Sequence, residues 1–523
     1  MEQSKTKQFL KNAIVVALSA LAMRTVAVWF GAYITAKIGK EGMGIYSLVM
    51  SVYSFAITLA TSGVHLAVTR TVSEAMGKGD GNGVKTAMRH CLFYAFLFGS
   101  LSSVILLLFA GPIGVYFLRD VRCVPALRLL GLSMLPFALS TTINGYFIAK
   151  RKVRYNAAVQ VIEQALRIGC ITALLTIALP KGIAYTTMAL VLGGVIAEVA
   201  SFACMGVVYL VHSRKKEGGK SEKLQISGMK TVFSIAGPVA LSAYIRSGLL
   251  TLEHALIPRS VEKYGRTPAE ALADYGMLQG MVLPIVLYPS ALLFSVAGLL
   301  IPEFAERKAK GEAASISRLT HKTLKITSLF GFGSALLLIT FARELGLLTY
   351  RSFEAGNYIR ITAFVLPVMF LDHVTDCALK GLGEQLWTMW VNIADAIVSI
   401  LLVLLLLPKL GIFGYVVVII LAELLNFSFS YGRLLWVTGR RPQVKETVLL
   451  PLISACLSFL FTRFCLPMDS VSASLFWTVL RMLFALCVYV FCYLVGEAII
   501  STGVLAQGQK AQKPKKMQEK AQK

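Results

Sequence analysis

Apolar runs of about 20 residues or more recur every ~30–40 residues along the chain. Each is long enough, at 1.5 Å per residue, to cross ~30 Å of hydrocarbon. That pattern leaves few folds open. A bilayer interior offers no water to backbone N–H and C=O groups, so only helices and closed barrels span it. Runs this long without period-two alternation select helices. Of 523 residues, 56% are hydrophobic and 15% charged, against about 25% charged in soluble domains. The expectation is an all-α polytopic membrane protein with about 14 transmembrane helices. They fall near 10–36, 43–69, 91–118, 124–149, 157–179, 183–211, 231–257, 276–301, 326–350, 358–379, 386–407, 411–436, 447–465 and 475–499. The first run, Phe9 to Ala36, is too long for a signal-peptide core and lacks a small-residue cleavage site, so it is expected to stay as the first helix.

A net charge of +25 can signal a nucleic-acid binder. Here the basic residues sit between apolar runs, where they set membrane orientation instead. Lys5–Lys11, Arg70–Arg89, Lys150–Arg154, Arg214–Lys230, Arg307–Lys325, Arg433–Lys445, the tail after Lys510 and the lone Lys380 hold roughly 34 basic residues, and the intervening loops roughly 14. The rich loops alternate with the poor ones. The rich side is therefore expected to be cytoplasmic, with both termini there and the chain multi-pass in the cell membrane. The nine cysteines lie mostly inside apolar runs, and none forms C-x-x-C. They read as inert thiols, and no metal site is expected.

The two halves resemble each other. Val16-Ala17-Leu18-Ser19-Ala20 precedes Arg24 as Val239-Ala240-Leu241-Ser242-Ala243 precedes Arg246. Ser73 to Asp80 pairs with Ala305 to Glu312, and Leu135-Pro136 with Leu366-Pro367. Three ordered matches predict duplication of a six-helix lobe. An even helix number gives both halves one topology, related by a pseudo-twofold along the membrane normal. The expected division is 1–211 for the N-terminal lobe, 212–230 for a cytoplasmic inter-lobe loop and 231–437 for the C-terminal lobe. Helices 13 and 14 follow over 438–499, and a basic cytoplasmic tail over 500–523.

Ionisable groups inside a bilayer cost several kcal/mol unless they face protein or water, which makes them candidates for function. Arg24 in the first helix and Arg246 in the seventh take equivalent places in the two repeats. A twofold axis would set them on facing walls of one cavity, where paired guanidiniums suit a phosphate-bearing anion. The bland alternative is that each pairs with a carboxylate or a helix carbonyl. Glu163 and Arg167, four apart on the fifth helix, read as a neutralising pair. Glu198 and Glu423 lie deep in helices six and twelve, where coupling and packing remain open alternatives. The C-terminal half adds Glu253, Asp372, Asp376, Asn392 and Asp395. Asn392 and Asp395 share a helix face, and with Glu253 they offer oxygen ligands to a small cation, or else helix–helix hydrogen bonds.

Gly77 to Lys85 lacks the spacing of a phosphate-binding loop and follows no strand, so a cytoplasmic hairpin is expected. Asp469 and Ser470 form no credible hydrolytic site. No catalytic residues, resident cofactor or ATP drive are therefore expected, and the chain reads as a transporter and not an enzyme. Pro136, Pro238, Pro284, Pro289 and Pro367 fall inside spans, where proline kinks or breaks a helix.

Tyr275-Gly276-Met277-Leu278-Gln279-Gly280, with Pro284, Pro289 and Ile301-Pro302-Glu303, resembles the eighth-helix signature of the polysaccharide-export branch of the multidrug/oligosaccharidyl-lipid/polysaccharide exporter superfamily. Gly39-Lys40-Glu41-Gly42-Met43-Gly44-Ile45-Tyr46 is similar to that branch's first helix-to-helix turn. The likeness covers nearly the whole chain, including two six-helix lobes and two extra C-terminal helices. It implies export of an undecaprenyl-diphosphate-linked saccharide by alternating access, with lipid II in sporulation cortex synthesis as the expected cargo. It also implies cavity arginines that meet the diphosphate. Arg24 matches that pattern, whereas related flippases carry the C-lobe arginine on the eighth helix instead of at Arg246. Relatives hold a cation with a seventh-helix Asp and an Asn and Asp of the eleventh. Here Glu253 stands for the first, and Asn392 and Asp395 are three apart instead of four. Coupling to Na+ or H+ is thus implied. The expected partners are a lipid-linked oligosaccharide, membrane lipids and cell-wall synthases, with no nucleic acid. A multidrug exporter of the same superfamily and a non-transporting scaffold for cell-wall synthesis are the alternatives.

Overall fold

The computed structural model describes residues 2–77, 81–150, 152–213, 229–439, 444–466 and 474–521. Among them the structure is helical without strands, as the apolar runs require. The helices are α1 (Glu2–Thr61), α2 (Val64–Gly77), α3 (Gly81–Pro112), α4 (Val124–Ala149), α5 (Val153–Ala178), α6 (Ile183–Ser213), α7 (Met229–Glu262), α8 (Pro268–Met277), α9 (Leu283–Val286) and α10 (Ser290–Ala297). They continue as α11 (Leu300–Ala309), α12 (Ala313–Thr340), α13 (Ala342–Tyr350), α14 (Phe353–Thr362), α15 (Leu366–Gly381), α16 (Gln385–Leu410), α17 (Ile412–Thr438), α18 (Leu450–Cys465) and α19 (Leu475–Ala521). Eleven described stretches are long and apolar enough to span a membrane. One of them, Leu21–Met76, has 56 residues and is long enough to cross twice. With α7 and the broken eighth run, this agrees with about 14 crossings.

The helix boundaries differ from expectation in instructive places. Helices one and two meet within α1 at Gly39, whose φ of 73° and ψ of −179° leave the helical region. Such a φ is readily adopted only by glycine. The second helix, expected to run to residue 69, stops at Thr61, and Gly63 (φ 76°) breaks it just before α2 begins at Val64. The eighth helix is broken instead of continuous. A π-helical turn at Leu278–Val282 is followed by α9, with Pro284 in its first turn, and then by Pro289 at the N-cap of α10. Each proline lacks the N–H that an unbroken helix needs. Pro367 likewise sits in the first turn of α15, whereas Pro136 is carried inside α4. The side chain of Pro238 lies outside the described residues, as do residues 78–80 of the Gly77–Lys85 stretch, Asp469 and Ser470.

The residues group into two compact units. One holds Met1–Ala32, Met281–Val391 and Ile419–Lys523, and the other Tyr33–Gly280 and Asn392–Val418. In the second unit α3 packs on α4, and α5 on α6. Its core includes the fully buried Met88, Tyr94 and Phe147. Small residues let these helices approach closely, as at Gly193 against Ile171 of α5. In the first unit α12 packs on α15 and α18. There α19 is tied to α12 by Lys325 Nζ to Glu497 Oε1 at 2.7 Å, and by the Tyr489 hydroxyl donating to the Leu329 carbonyl at 2.9 Å. Large apolar side chains remain on the outside, among them Leu108, Phe464 and Phe476. In a chain this hydrophobic they are the lipid-facing surface. Cys91, Cys123 and Cys377 are buried, whereas Cys456, Cys465 and Cys487 are exposed; among the described residues all nine cysteines are free.

The two stretches that carry the family resemblance pack against each other. A Cβ on Gly44 would fall within 3.0 Å of Leu272, and one on Gly276 within 3.0 Å of the backbone of Lys40 and Gly44. A Cβ on Gly280 would meet the Met43 side chain. The glycines of both stretches thus allow α1 and α8 into backbone contact.

Candidate functional site

Arg24 belongs to the first unit, on α1 before the kink. Its neighbour Thr25 shares a 2.8 Å hydrogen bond with the hydroxyl of Tyr288, in the turn between α9 and α10. Tyr350, at the end of α13, lies within electrostatic range of the guanidinium. The Nε of Arg24 is buried with no hydrogen-bond partner among the described residues. The broken eighth helix therefore places a phenol on Thr25, the residue after Arg24, which no local sequence signal announces.

Arg246, Glu253, Asn392 and Asp395 all belong to the second unit. Arg246 and Glu253 are two turns apart on one side of α7. Asp395, on α16, lies within electrostatic range of both. Glu253 and Asn392 are each only 7% exposed, and Asp395 Oδ1 is buried without a hydrogen-bond partner among the described residues. Glu253 and Asp395 of the expected cation set thus lie within electrostatic range of each other, and the exposed Arg246 within range of Asp395. Arg24 stands in the other unit. Two carboxylates and an amide are hard oxygen ligands that suit a small cation, and the orphaned Asp395 oxygen is the atom such a cation would satisfy. Among the described residues no group of three His, Cys, Asp or Glu side chains has metal-site geometry.

Sequence reasoning missed the groups that surround this cluster. His254 Nδ1 lies 3.1 Å from the Tyr275 hydroxyl and 3.3 Å from Gln279 Nε2, and Tyr415 of α17 lies within electrostatic range of Glu253. Tyr275 and Gln279 belong to the quoted eighth-helix stretch, so the motif itself was the available signal. If the oxygens hold a cation, Na+ should raise the melting temperature of the purified wild-type protein and leave Asp395→Asn unmoved. Equal shifts in both proteins, read by differential scanning fluorimetry against a choline control, would remove the site.

Several other charges in or at the ends of the spans are paired. Arg167 Nη2 meets Glu163 Oε1 at 2.8 Å, as the i,i+4 spacing suggested, and also reaches Glu198 Oε1 at 3.6 Å. Asp376 meets Lys380 at 3.5 Å and Ser430 at 3.4 Å. Arg433 pairs with Glu384 at 2.8 Å while lying over Trp387 and Trp436.

An all-helical membrane body with a broken eighth helix and charged residues buried in its spans has the architecture of an exporter. The family described as "Polysaccharide biosynthesis protein" matches residues 9–308, and the MatE family matches 263–405. The chain belongs to the polysaccharide biosynthesis protein family, within the polysaccharide-export branch of the multidrug/oligosaccharidyl-lipid/polysaccharide exporter superfamily. It is 25% identical over 423 residues to stage V sporulation protein B of Bacillus subtilis (strain 168), covering 79% of this chain and 80% of that protein. It is 19% identical over 401 residues to sporulation protein YkvU of the same organism, covering 75% and 87%. Among solved structures it shares its fold with the lipid II flippase MurJ in an inward closed conformation (TM-score 0.64, 13% identity, 94% of this chain and 100% of that one). The inward-facing form of a multidrug resistance MATE family transporter of the MOP superfamily gives a TM-score of 0.62 at 14% identity, over 82% of this chain and 99% of that one.

Proposed function

We propose that this protein flips an undecaprenyl-diphosphate-linked cell-wall saccharide, lipid II or a close relative, across the cytoplasmic membrane by alternating access. The observation that carries this reading is the state of Arg24 and Arg246, two of the four arginines expected inside spans with Arg167 and Arg481. Arg122, Arg167, Arg307 and Arg433 each meet a carboxylate within 3 Å, whereas among the described residues neither Arg24 nor Arg246 forms an ion pair. A guanidinium kept in mid-membrane costs at least ~2.5 kcal/mol on insertion scales. An anionic cargo accounts for that cost, because a diphosphate crossing hydrocarbon needs its charge compensated and a guanidinium fork matches phosphate oxygens. An organic-cation exporter would be opposed by the same two charges, which argues against the multidrug alternative. Kinship with two sporulation proteins supports a role in spore cortex synthesis. The division into lobes over 1–211 and 231–437 belongs to this proposal.

Mass spectrometry of lipids that co-purify with the protein tests the cargo directly. A diphosphate-linked saccharide on undecaprenol is expected. Phospholipids alone, together with no movement of a labelled lipid II in liposomes, would favour the scaffold reading. The orientation has its own test. Ala313 opens α12 within the basic stretch Arg307–Lys325, so a cysteine placed there should resist a membrane-impermeant thiol reagent on intact cells. The exposed Cys456, Cys465 and Cys487 are replaced by serine first. Labelling before permeabilisation would invert the topology. Ser221, in the inter-lobe loop, lies outside the described residues.

A further inference from the structure

A second set of buried ionisable groups is assembled by α1, α4, α5 and α6, all within the second unit. Glu198 of α6 is 7% exposed. The hydroxyl of Tyr53, on α1 beyond the kink, donates to its Oε1. Arg167 of α5 lies 3.6 Å from that oxygen and 2.8 Å from Glu163 Oε1. Ser133 of α4 stands beside the Glu198 carboxyl, and Tyr46 of α1 lies within electrostatic range of both Glu198 and Arg167. These are the charged and titratable groups facing Glu198 among the described residues. Its other oxygen, Oε2, is buried and has no hydrogen-bond partner among them.

The charges do not balance. Two carboxylates face one guanidinium, so full ionisation leaves one net negative charge in an apolar interior. Burying an unpaired charge is expensive. Glu163 has the closer, hydrogen-bonded contact to Arg167, and its side chain is 25% exposed. Glu198 is the deeper group with the looser ion pair. A carboxyl present only for packing would have both oxygens satisfied. A metal ion is a poor occupant, since Arg167 already stands at 3.6 Å and Tyr53 directs a proton, not a lone pair, at the carboxyl.

We propose that Glu198 is a proton-binding site of the α1–α6 region, loaded and released during the transport cycle. A proton from water adds to Oε2 and converts the carboxylate to a carboxylic acid, leaving the Glu163–Arg167–Glu198 set neutral. Release returns the proton to water and restores the single negative charge. Tyr53 keeps its own proton throughout and continues to donate to Oε1. Proton-carrying carboxyls of this kind are a recognised reason for acids to persist inside membrane proteins. The role in a transport cycle rests on the exporter reading above; the proton site does not.

Infrared difference spectroscopy of the full-length protein in lipid nanodiscs, stepped between acidic and alkaline pH, reads the site. Wild type should show a protonated-carboxyl stretch that Glu198→Gln removes and that Glu74→Gln, at an exposed carboxylate paired with Arg70, leaves in place. Glu163→Gln gives Glu198 sole use of the guanidinium, so the stretch should fade at neutral pH. Tyr53→Phe keeps the acid but removes its donor, so the band should move in frequency. An unchanged band in well-folded Glu198→Gln, or a band indifferent to Tyr53→Phe, would overturn the assignment. In liposomes a proton gradient should change the flipping rate of wild type several-fold and that of Glu198→Gln hardly at all. A gradient that acts equally on both removes the coupling role. A band that behaves as expected in a protein that moves no lipid under any gradient upholds the proton site and overturns the exporter reading.

Discussion

Arg24→Ala and Arg246→Ala should each yield a protein that accumulates normally in the membrane and fails to replace a missing flippase. Removing a mid-span guanidinium relieves an insertion cost of ~2.5 kcal/mol, so neither variant should be short of protein. The loss appears in transport alone. A charge-assisted bidentate contact to phosphate contributes up to about 3 kcal/mol, equivalent to roughly a hundredfold in binding. Because Arg24 and Arg246 sit on different helices, neither covers for the other. Lys at either position should restore a minor part of the activity, since it returns the charge without the planar fork. Complementation, with membrane levels checked by blotting, gives the answer. Full growth supported by well-expressed Arg24→Ala and Arg246→Ala would end the proposal that these residues meet a diphosphate.

Gly276→Ala should destabilise the protein more than other single-methyl additions in these helices. The added Cβ would lie within 3.0 Å of the backbone of Lys40 and Gly44. Backbone atoms cannot rotate aside as a side chain can, so α1 and α8 would have to separate. Overpacking of this kind costs ~1–3 kcal/mol or more, equivalent to a fall of about 1–3 °C or more in melting temperature for a chain of this length. Gly44→Ala should act similarly, because its Cβ would meet the backbone of Leu272. Gly111→Ala is the control. Nothing lies within 4 Å of its added Cβ, and alanine favours a helix over glycine by about 1 kcal/mol. Equal melting temperatures for Gly276→Ala and Gly111→Ala, measured on purified protein, would show that the α1–α8 contact is not close-packed.

These two experiments separate what the glycine-bearing stretches do from what the arginines do. Gly39–Tyr46 and Tyr275–Gly280 carried the family resemblance, and the structure shows them as one contact. Gly39 and Gly63 break the helix with positive φ, while Gly44 and Gly276 let two backbones touch and Gly280 makes room for Met43. The same stretch contributes Tyr275 and Gln279 to the polar surroundings of His254. The break in the eighth helix places Tyr288 against Thr25, next to Arg24. Pro284 and Pro289 announced that a break was available, but not which side chain it would present.

The sequence by itself determined the membrane setting, the helical class, about 14 crossings and the stretches that identify the family. The reason is local. In lipid each backbone amide must find its partner within its own helix, so a run of apolar residues declares its structure without reference to the rest of the chain. The Glu163–Arg167 pair was legible on the same ground, one helical turn apart. What only the tertiary structure decided is how buried charges are shared. Glu198 takes its hydrogen bond from Tyr53, 145 residues away. Arg167 is divided between two carboxylates from different helices. Asp395 lies within range of both Glu253 and Arg246. Helix faces are readable from sequence spacing, but which faces meet depends on side-chain packing between helices remote in sequence, and no single span encodes that choice.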